Sequence, residues 1–144
     1  MKLEDIRKMV EEDSIIDDTE LDIESLKIPQ LHNKYLNLYH DEKLLLSKID
    51  SDLKKVIKVK WEYYTGKLDE DDLEELGLEP FQFKILKQDL DKYLNSDEDI
   101  IALSHKVEYQ KEKISYLESI LKELNTRHWK IRNAIDWRKF LSGV

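Results

Sequence analysis

The sequence predicts an all-α chain: an elongated hairpin of two long, heptad-patterned helices with short helices attached, assembling as a homo-oligomer. Three observations carry that expectation. Only 3 Gly and 2 Pro occur in 144 residues, too few to punctuate a multi-stranded β fold. Charged residues make up 39% of the chain, the composition of long solvated helices. Two stretches also repeat apolar residues in alternating steps of three and four, the mark of helices that pack along a seam.

The elements follow in order. Leu3, Ile6, Met9 and Val10 have helical spacing, so a short helix is expected over 3–16. Asp17, Asp18 and Thr19 end it and offer caps for a second short helix through about Lys27. Pro29 disfavours helical geometry at Ile28 and removes a donor, so it reads as an early position of a new helix or as a kink. The first seam then runs Ile28, Leu31, Tyr35, Leu38, Glu42, Leu45, Ile49, Asp52, Val56, Val59 and Tyr63, nine apolar positions of eleven. It should stop at Thr65-Gly66, where glycine takes the left-handed cap conformation. An acidic connection, 67–80, leads to a third short helix over about 81–95.

Ser96-Asp97-Glu98-Asp99 reads as a cap with acids in the first turn, favourable to the helix dipole. The second seam follows: Ile100, Leu103, Val107, Gln110, Ile114, Leu117, Leu121, Leu124, His128, Ile131 and Ile135, again nine apolar of eleven. The expected organisation is one structural domain. Residues 1–66 hold the short helices and the long basic-ended helix, 67–80 the connection, and 81–144 the C-terminal helices for assembly.

Two rods cover one another on one side only. Leu44, Leu46, Leu53, Ile57, Ile101, Tyr116, Ile120, Trp137 and Phe140 lie off the seams and also need cover. Self-association is therefore expected, with Ile114, Leu117, Leu121, Leu124, Ile131, Ile135 and Trp137 as its residues. The alternative is that the short helices complete a monomeric four-helix bundle.

Several function classes are disfavoured. The histidines His32, His40, His105 and His128 share no metal-ligand spacing, and Gly66, Gly77 and Gly143 stand alone rather than in a phosphate-cradling loop. No catalytic residue, metal or cofactor is expected, and His128 reads as a packed or interface side chain. No apolar run is long enough to span a membrane, and the N-terminus lacks the apolar core of a signal peptide. With no cysteine there is no disulfide framework, which fits a reducing cytoplasm.

The net charge of −8 argues against nucleic-acid binding by the whole surface, but the charge is uneven. Residues 11–24 hold eight acids and 69–79 hold seven, with no base in either; they read as solvated linker or as a surface for a basic partner. Residues 54–67 hold Lys54, Lys55, Lys58, Lys60 and Lys67 against Glu62 alone, interleaved with Trp61, Tyr63 and Tyr64. Lysines there would neutralise phosphates and the rings would stack unpaired bases, a pattern that suits single strands better than duplex. The plainer reading places Tyr63 in the core, Trp61 at an interface and the lysines in solvent. A second basic block, 127–139, holds Trp129, Trp137 and five cations; it could contact DNA in the same way, but its aromatics better suit an oligomer interface.

These residues carry a resemblance. The sequence resembles the UvsY family, recombination mediators of myovirus-type bacteriophages, in the version found in phages of marine cyanobacteria. The resemblance covers nearly the full chain. It rests on Leu3-Glu4-Asp5-Ile6, Glu11-Glu12-Asp13-Ser14-Ile15-Ile16-Asp17, Leu26-Lys27-Ile28-Pro29 and Tyr35-Leu36. Its strongest parts are Trp61-x-Tyr63-Tyr64-Thr65-Gly66-Lys67, Glu79-Pro80-Phe81-x-Phe83-Lys84 and Asn133-Ala134-Ile135-x-Trp137-Arg138-Lys139-Phe140.

The resemblance implies a non-enzymatic protein of the infected host's cytoplasm, without a membrane role. Such a protein binds single-stranded DNA coated by the phage single-strand-binding protein and helps load a RecA-like recombinase. The resemblance further implies homo-oligomeric rings in which the C-terminal helix matters for assembly, and a DNA-binding basic pair at Lys58 and Lys60. Some relatives have arginine at the second position; Lys60 keeps the charge but loses planar stacking. The acidic stretches 11–24 and 69–79 depart from more basic relatives. A coiled-coil scaffold without a nucleic-acid role is the alternative from another class.

Overall fold

A computed structural model describes residues 1–81 and 83–143, which hold five α-helices and one 3-10 turn and no strand. The helices are α1 (Leu3–Asp13), α2 (Leu21–Tyr64), α3 (Glu70–Leu76), α4 (Leu90–Asn95) and α5 (Glu98–Leu141), with the 3-10 turn at Lys87–Asp89. Contacts group the chain into two compact units: Met1–Leu44 with Lys111–Val144, and Leu45–Gln110. No helix among the described residues is long and apolar enough to cross a membrane.

The first unit is built on α1. Ile6 and Val10 fall one turn apart and are buried, while Glu4 and Asp5 sit in the first turn, where the helix dipole favours acids. Their partners are Tyr35 of α2 and Leu117, Leu121 and Leu124 of α5, with Leu31, Leu38, Tyr116 and Ile120 packed around them. This third helix widens the inward arc of α5 beyond a two-helix seam, and several expectations change as a result.

Leu117, Leu121, Leu124 and Ile131, expected at an interface between copies, are buried inside the chain's own fold at 0%, 9%, 1% and 3% exposure. Ile114 and Ile135 are half-buried, and Trp137 alone of that set remains exposed. His128 faces solvent instead of the seam. Arg127 takes the inward place, because its guanidinium donates to the Asp13 carbonyl (2.9 Å) and to both oxygens of Glu123 (3.1 and 2.9 Å).

The polar break at Glu42 is occupied in the same way. Its carboxylate lies 3.0 Å from the ammonium of Lys113, both side chains being 6% exposed, and Lys113 also donates to the Met1 carbonyl at 2.9 Å. Asp13 ties α1 to α2 by accepting from Lys34 (2.6 Å) and from the Tyr35 hydroxyl (2.7 Å).

Helix α2 runs unbroken through Pro29 rather than dividing near Lys27. Proline at this position leaves the Ser25 carbonyl without its helical donor. Ser25 and Pro29 both lie on the exposed face, and the packing of the buried Leu21, Glu24 and Tyr35 carries the helix across. The helix ends as expected. Lys67 N–H donates to the Glu62 carbonyl (2.8 Å), Gly66 N–H donates to that of Tyr63 (3.2 Å), and Gly66 sits at φ +71°, an arrangement that closes the last turn.

In the second unit the acidic connection contains α3, capped by the Asp69 carboxylate on the Asp72 N–H (2.8 Å) and ended by Gly77 at φ +68°. The helix expected over 81–95 is shorter. Gln82 lies outside the described residues, Phe81 and 83–86 are not helical, and regular structure begins at Lys87. Phe81 packs its ring against Tyr63, Tyr64 and Tyr93, with centroids 5.6, 5.1 and 5.6 Å away. Those aromatic contacts compete with a weak local helical preference.

Candidate nucleic-acid interface

The basic end of α2 separates into two faces. At about 100° per residue, positions two apart point to nearly opposite sides of a helix. Lys54, Lys55, Lys58 and Trp61 therefore share one arc, and all four are exposed, Trp61 at 37%. Lys54 lies 3.2 Å from Asp50 in a solvent-exposed pair one turn apart, a contact worth at most about 0.5 kcal/mol. Past the helix end Lys67 swings back over the indole of Trp61, its ammonium 4.1 Å from the ring centroid. Four lysines and one indole thus share a solvent-facing strip.

Lys60 and Tyr63 lie on the other side, and Tyr64, one turn from Trp61, sits between the two faces. The Lys60 ammonium is 2.8 Å from Asp99 and 3.3 Å from Asp97, and its side chain is only 13% exposed. The Tyr64 hydroxyl donates to the same Asp97 carboxylate at 2.6 Å. Asp97 in turn caps α5, accepting from the N–H groups of Asp99 (3.0 Å) and Ile100 (3.1 Å).

Burial works against the charge of Asp97, but hydrogen bonds from Tyr64, the Ile100 N–H and Lys60 outweigh it and hold its pKa below the usual carboxylate value. Burial likewise opposes the Lys60 charge, and the bonds to Asp99 and Asp97 reverse that, raising its pKa. Burial, then the bond to Asp97, push the Tyr64 hydroxyl up. Of the residues expected on DNA, Lys60 and Tyr64 are thus committed to holding the start of α5. Tyr63 donates to the Glu79 carbonyl (3.0 Å) and packs on Phe81.

Beside the exposed strip lies a groove of about 690 Å³, walled by Trp61 and Lys67 on one side and by Phe81, Phe83, Lys84 and Lys87 on the other. The sequence marked Phe83 and Lys84 only as part of the family resemblance, with no binding role, and did not mark Lys87. The available signal was the aromatic-basic alternation Phe81-x-Phe83-Lys84, which a helix would have scattered.

The second basic block is largely engaged within the first unit. Arg127 is buried, Lys130 lies 3.6 Å from Glu123, and Arg138 lies 3.7 Å from Asp18. Arg132 stands 5.7 Å from the centroid of the Trp129 ring. What this block exposes is apolar. Trp129 is 53% and Trp137 60% exposed, and Trp137 stacks on Phe140 at 5.5 Å.

Residues 9–144 match the family model described as the recombination, repair and ssDNA binding protein UvsY. The recombination protein uvsY of Enterobacteria phage T4 is 25% identical over 143 residues, covering 99% of each chain. One crystal structure of the bacteriophage T4 recombination mediator protein UvsY superposes with a TM-score of 0.86 at 24% identity, over 97% of this chain and 99% of that one. A second crystal form of the T4 protein gives 0.84 at 24% identity, over 99% and 98%.

Proposed function

Because the chain belongs to the UvsY family of recombination, repair and single-stranded-DNA-binding proteins, we propose that it is a non-enzymatic recombination mediator. It binds single-stranded DNA and helps load a RecA-like phage recombinase onto strands coated by single-strand-binding protein, in the cytoplasm of the infected host. The observation that carries this reading is the strip of Lys54, Lys55, Lys58 and Lys67 around Trp61, solvent-facing in a protein of net charge −8. Lysines there neutralise phosphates and the indole stacks a base, which binds a flexible strand without reading its sequence.

One such strip makes few contacts, and its affinity falls steeply with salt. Copies gathered into an oligomer present it repeatedly to one strand, raising the apparent affinity without new contacts. The exposed Trp129, Trp137 and Phe140 are the side chains best suited to bring copies together, since aromatics dominate such contacts. A strand held along several copies is poorly placed for its single-strand-binding coat, and so the hand-off to the recombinase begins.

Fluorescence anisotropy with labelled oligonucleotides tests the reading. Single strands are expected to bind more tightly than duplex, with a log-log salt slope of about −0.7 per phosphate neutralised. Absence of binding at low salt leaves the coiled-coil scaffold as the better description. Trp137→Ala with Phe140→Ala is expected to lower the sedimentation coefficient of the assembly; an unchanged value places the contact elsewhere.

A further inference from the structure

The groove beside the Trp61 strip has an unusual lining. In a chain with more acids than bases, no Asp or Glu is among the described residues that line it, while three lysines are: Lys67, Lys84 and Lys87. No ion pair holds Lys84 or Lys87 among the described residues. Lys67 is the cation that covers Trp61, so the groove opens directly onto the strip.

Its walls are aromatic. Phe81 is fixed by Tyr63, Tyr64 and Tyr93, and Phe83, 70% exposed, leans on Phe81 with centroids 5.8 Å apart. Both rings line the groove, one held by its aromatic neighbours and the other exposed. At about 690 Å³ the space falls in the range of small-molecule sites.

We propose that this groove is a nucleobase slot. One base of the strand leaves the stack and lies between Phe83 and the Trp61 side, while Lys84 and Lys87 take the flanking phosphates. The inference rests on the single-strand reading above and extends the interface from α2 to the 83–87 segment. Three features argue for a nucleic-acid occupant over an apolar peptide. The charged lining is all lysine, no carboxylate among the described lining residues meets a basic side chain, and the groove is continuous with the lysine strip through Lys67. A base supplies a flat apolar face together with an adjacent negative charge, matching ring and ammonium side by side.

Three probes separate the outcomes: an oligodeoxythymidine of about fifteen nucleotides, an abasic strand of the same length, and an oligonucleotide carrying photoreactive 5-iodouracil. Phe83→Ala is expected to weaken thymidine-strand binding roughly tenfold and to leave the abasic strand unaffected. Lys84→Ala with Lys87→Ala is expected to flatten the salt slope by about 1.4, two phosphates' worth, on both strands. Crosslinking on the unmodified protein is expected to label the peptide containing Phe83, which guards against variants that merely misfold.

If Lys58→Ala weakens binding while the Phe83 and Lys84/Lys87 variants bind both strands normally and crosslinks fall elsewhere, the slot is overturned and the strip stands. If those variants instead alter sedimentation with binding intact, the groove takes a protein segment and the proposal fails. If the unmodified protein binds no strand, the functional reading fails with it.

Discussion

Replacing Lys60 with methionine separates the DNA-binding role that the resemblance implies from the structural role that its ion pairs give it. Methionine keeps most of the aliphatic stem and removes the ammonium that lies 2.8 Å from Asp99 and 3.3 Å from Asp97. Breaking one side of a buried ion pair costs about 3–5 kcal/mol when the other charge is left alone. Asp97 is not left alone, because the Tyr64 hydroxyl and two backbone N–H groups still donate to it. Asp99 is largely exposed and rehydrates.

The loss therefore approaches that of one charged hydrogen bond, about 2 kcal/mol. At this chain length that is about 4 °C in Tm per kcal/mol, so about 8 °C. Thermal unfolding by far-UV ellipticity reads the stability, and anisotropy well below the transition reads binding. Lys58→Met is the companion: unchanged melting, weaker binding, and a salt slope reduced by about 0.7 for each engaged copy. The reasoning is refuted if Lys60→Met melts within about a degree of the unmodified protein and loses the same salt slope as Lys58→Met.

Leu117→Ala, at a site of 0% exposure, is expected to lower the urea-unfolding free energy by about 2–5 kcal/mol; a loss near zero would mean the site is not packed as described. Lys113→Met alone should destabilise by about 3 kcal/mol, and adding Glu42→Leu should recover most of that, since a matched apolar pair replaces a buried charge pair; no recovery would mean the pair contributes more than it costs to desolvate. Stability should be level near neutral pH and fall at both extremes. Asp97 and Asp13 have pKa values lowered from 3.8, so their contribution is present above about pH 4 and is lost as pH falls below it. Lys60, raised from 10.5, and Tyr64, raised from 10.0, contribute below those values and lose that contribution as pH rises past them. Tm measured across pH checks both limbs, and an unaltered acid limb in Asp97→Asn would contradict the assignment.

The helical class and the two ends of the long helices were legible because they rest on local signals: apolar spacing, the Gly66 cap and the Asp97 cap. Pro29 misled because tertiary burial of Leu21 and Tyr35 outweighs one missing hydrogen bond on an exposed face. The heptad count placed His128 inward because it presumed two helices; α1 supplies a third and brings Arg127 in. Lys58 and Lys60 were paired through the family resemblance, although a helix turns positions two apart to nearly opposite sides. What no local rule supplied was the destination of each lysine, since the carboxylates that meet Lys60 lie in the cap of another helix. The groove was missed for the same reason: its walls come from 61–67, Phe81 and 83–87, joined only by the fold.

All three indoles keep at least a third of their surface in water, at 37%, 53% and 60% for Trp61, Trp129 and Trp137, while the buried ring of the first unit is Tyr35. Their emission therefore starts near the wavelength of hydrated tryptophan and shifts little when the chain unfolds. An optical denaturation curve taken at the indole band alone would miss collapse of the interior. The same band becomes a sensitive signal for events at the surface, because a strand stacking on Trp61, or copies meeting over Trp129 and Trp137, changes the solvent around a fluorophore that folding leaves wet.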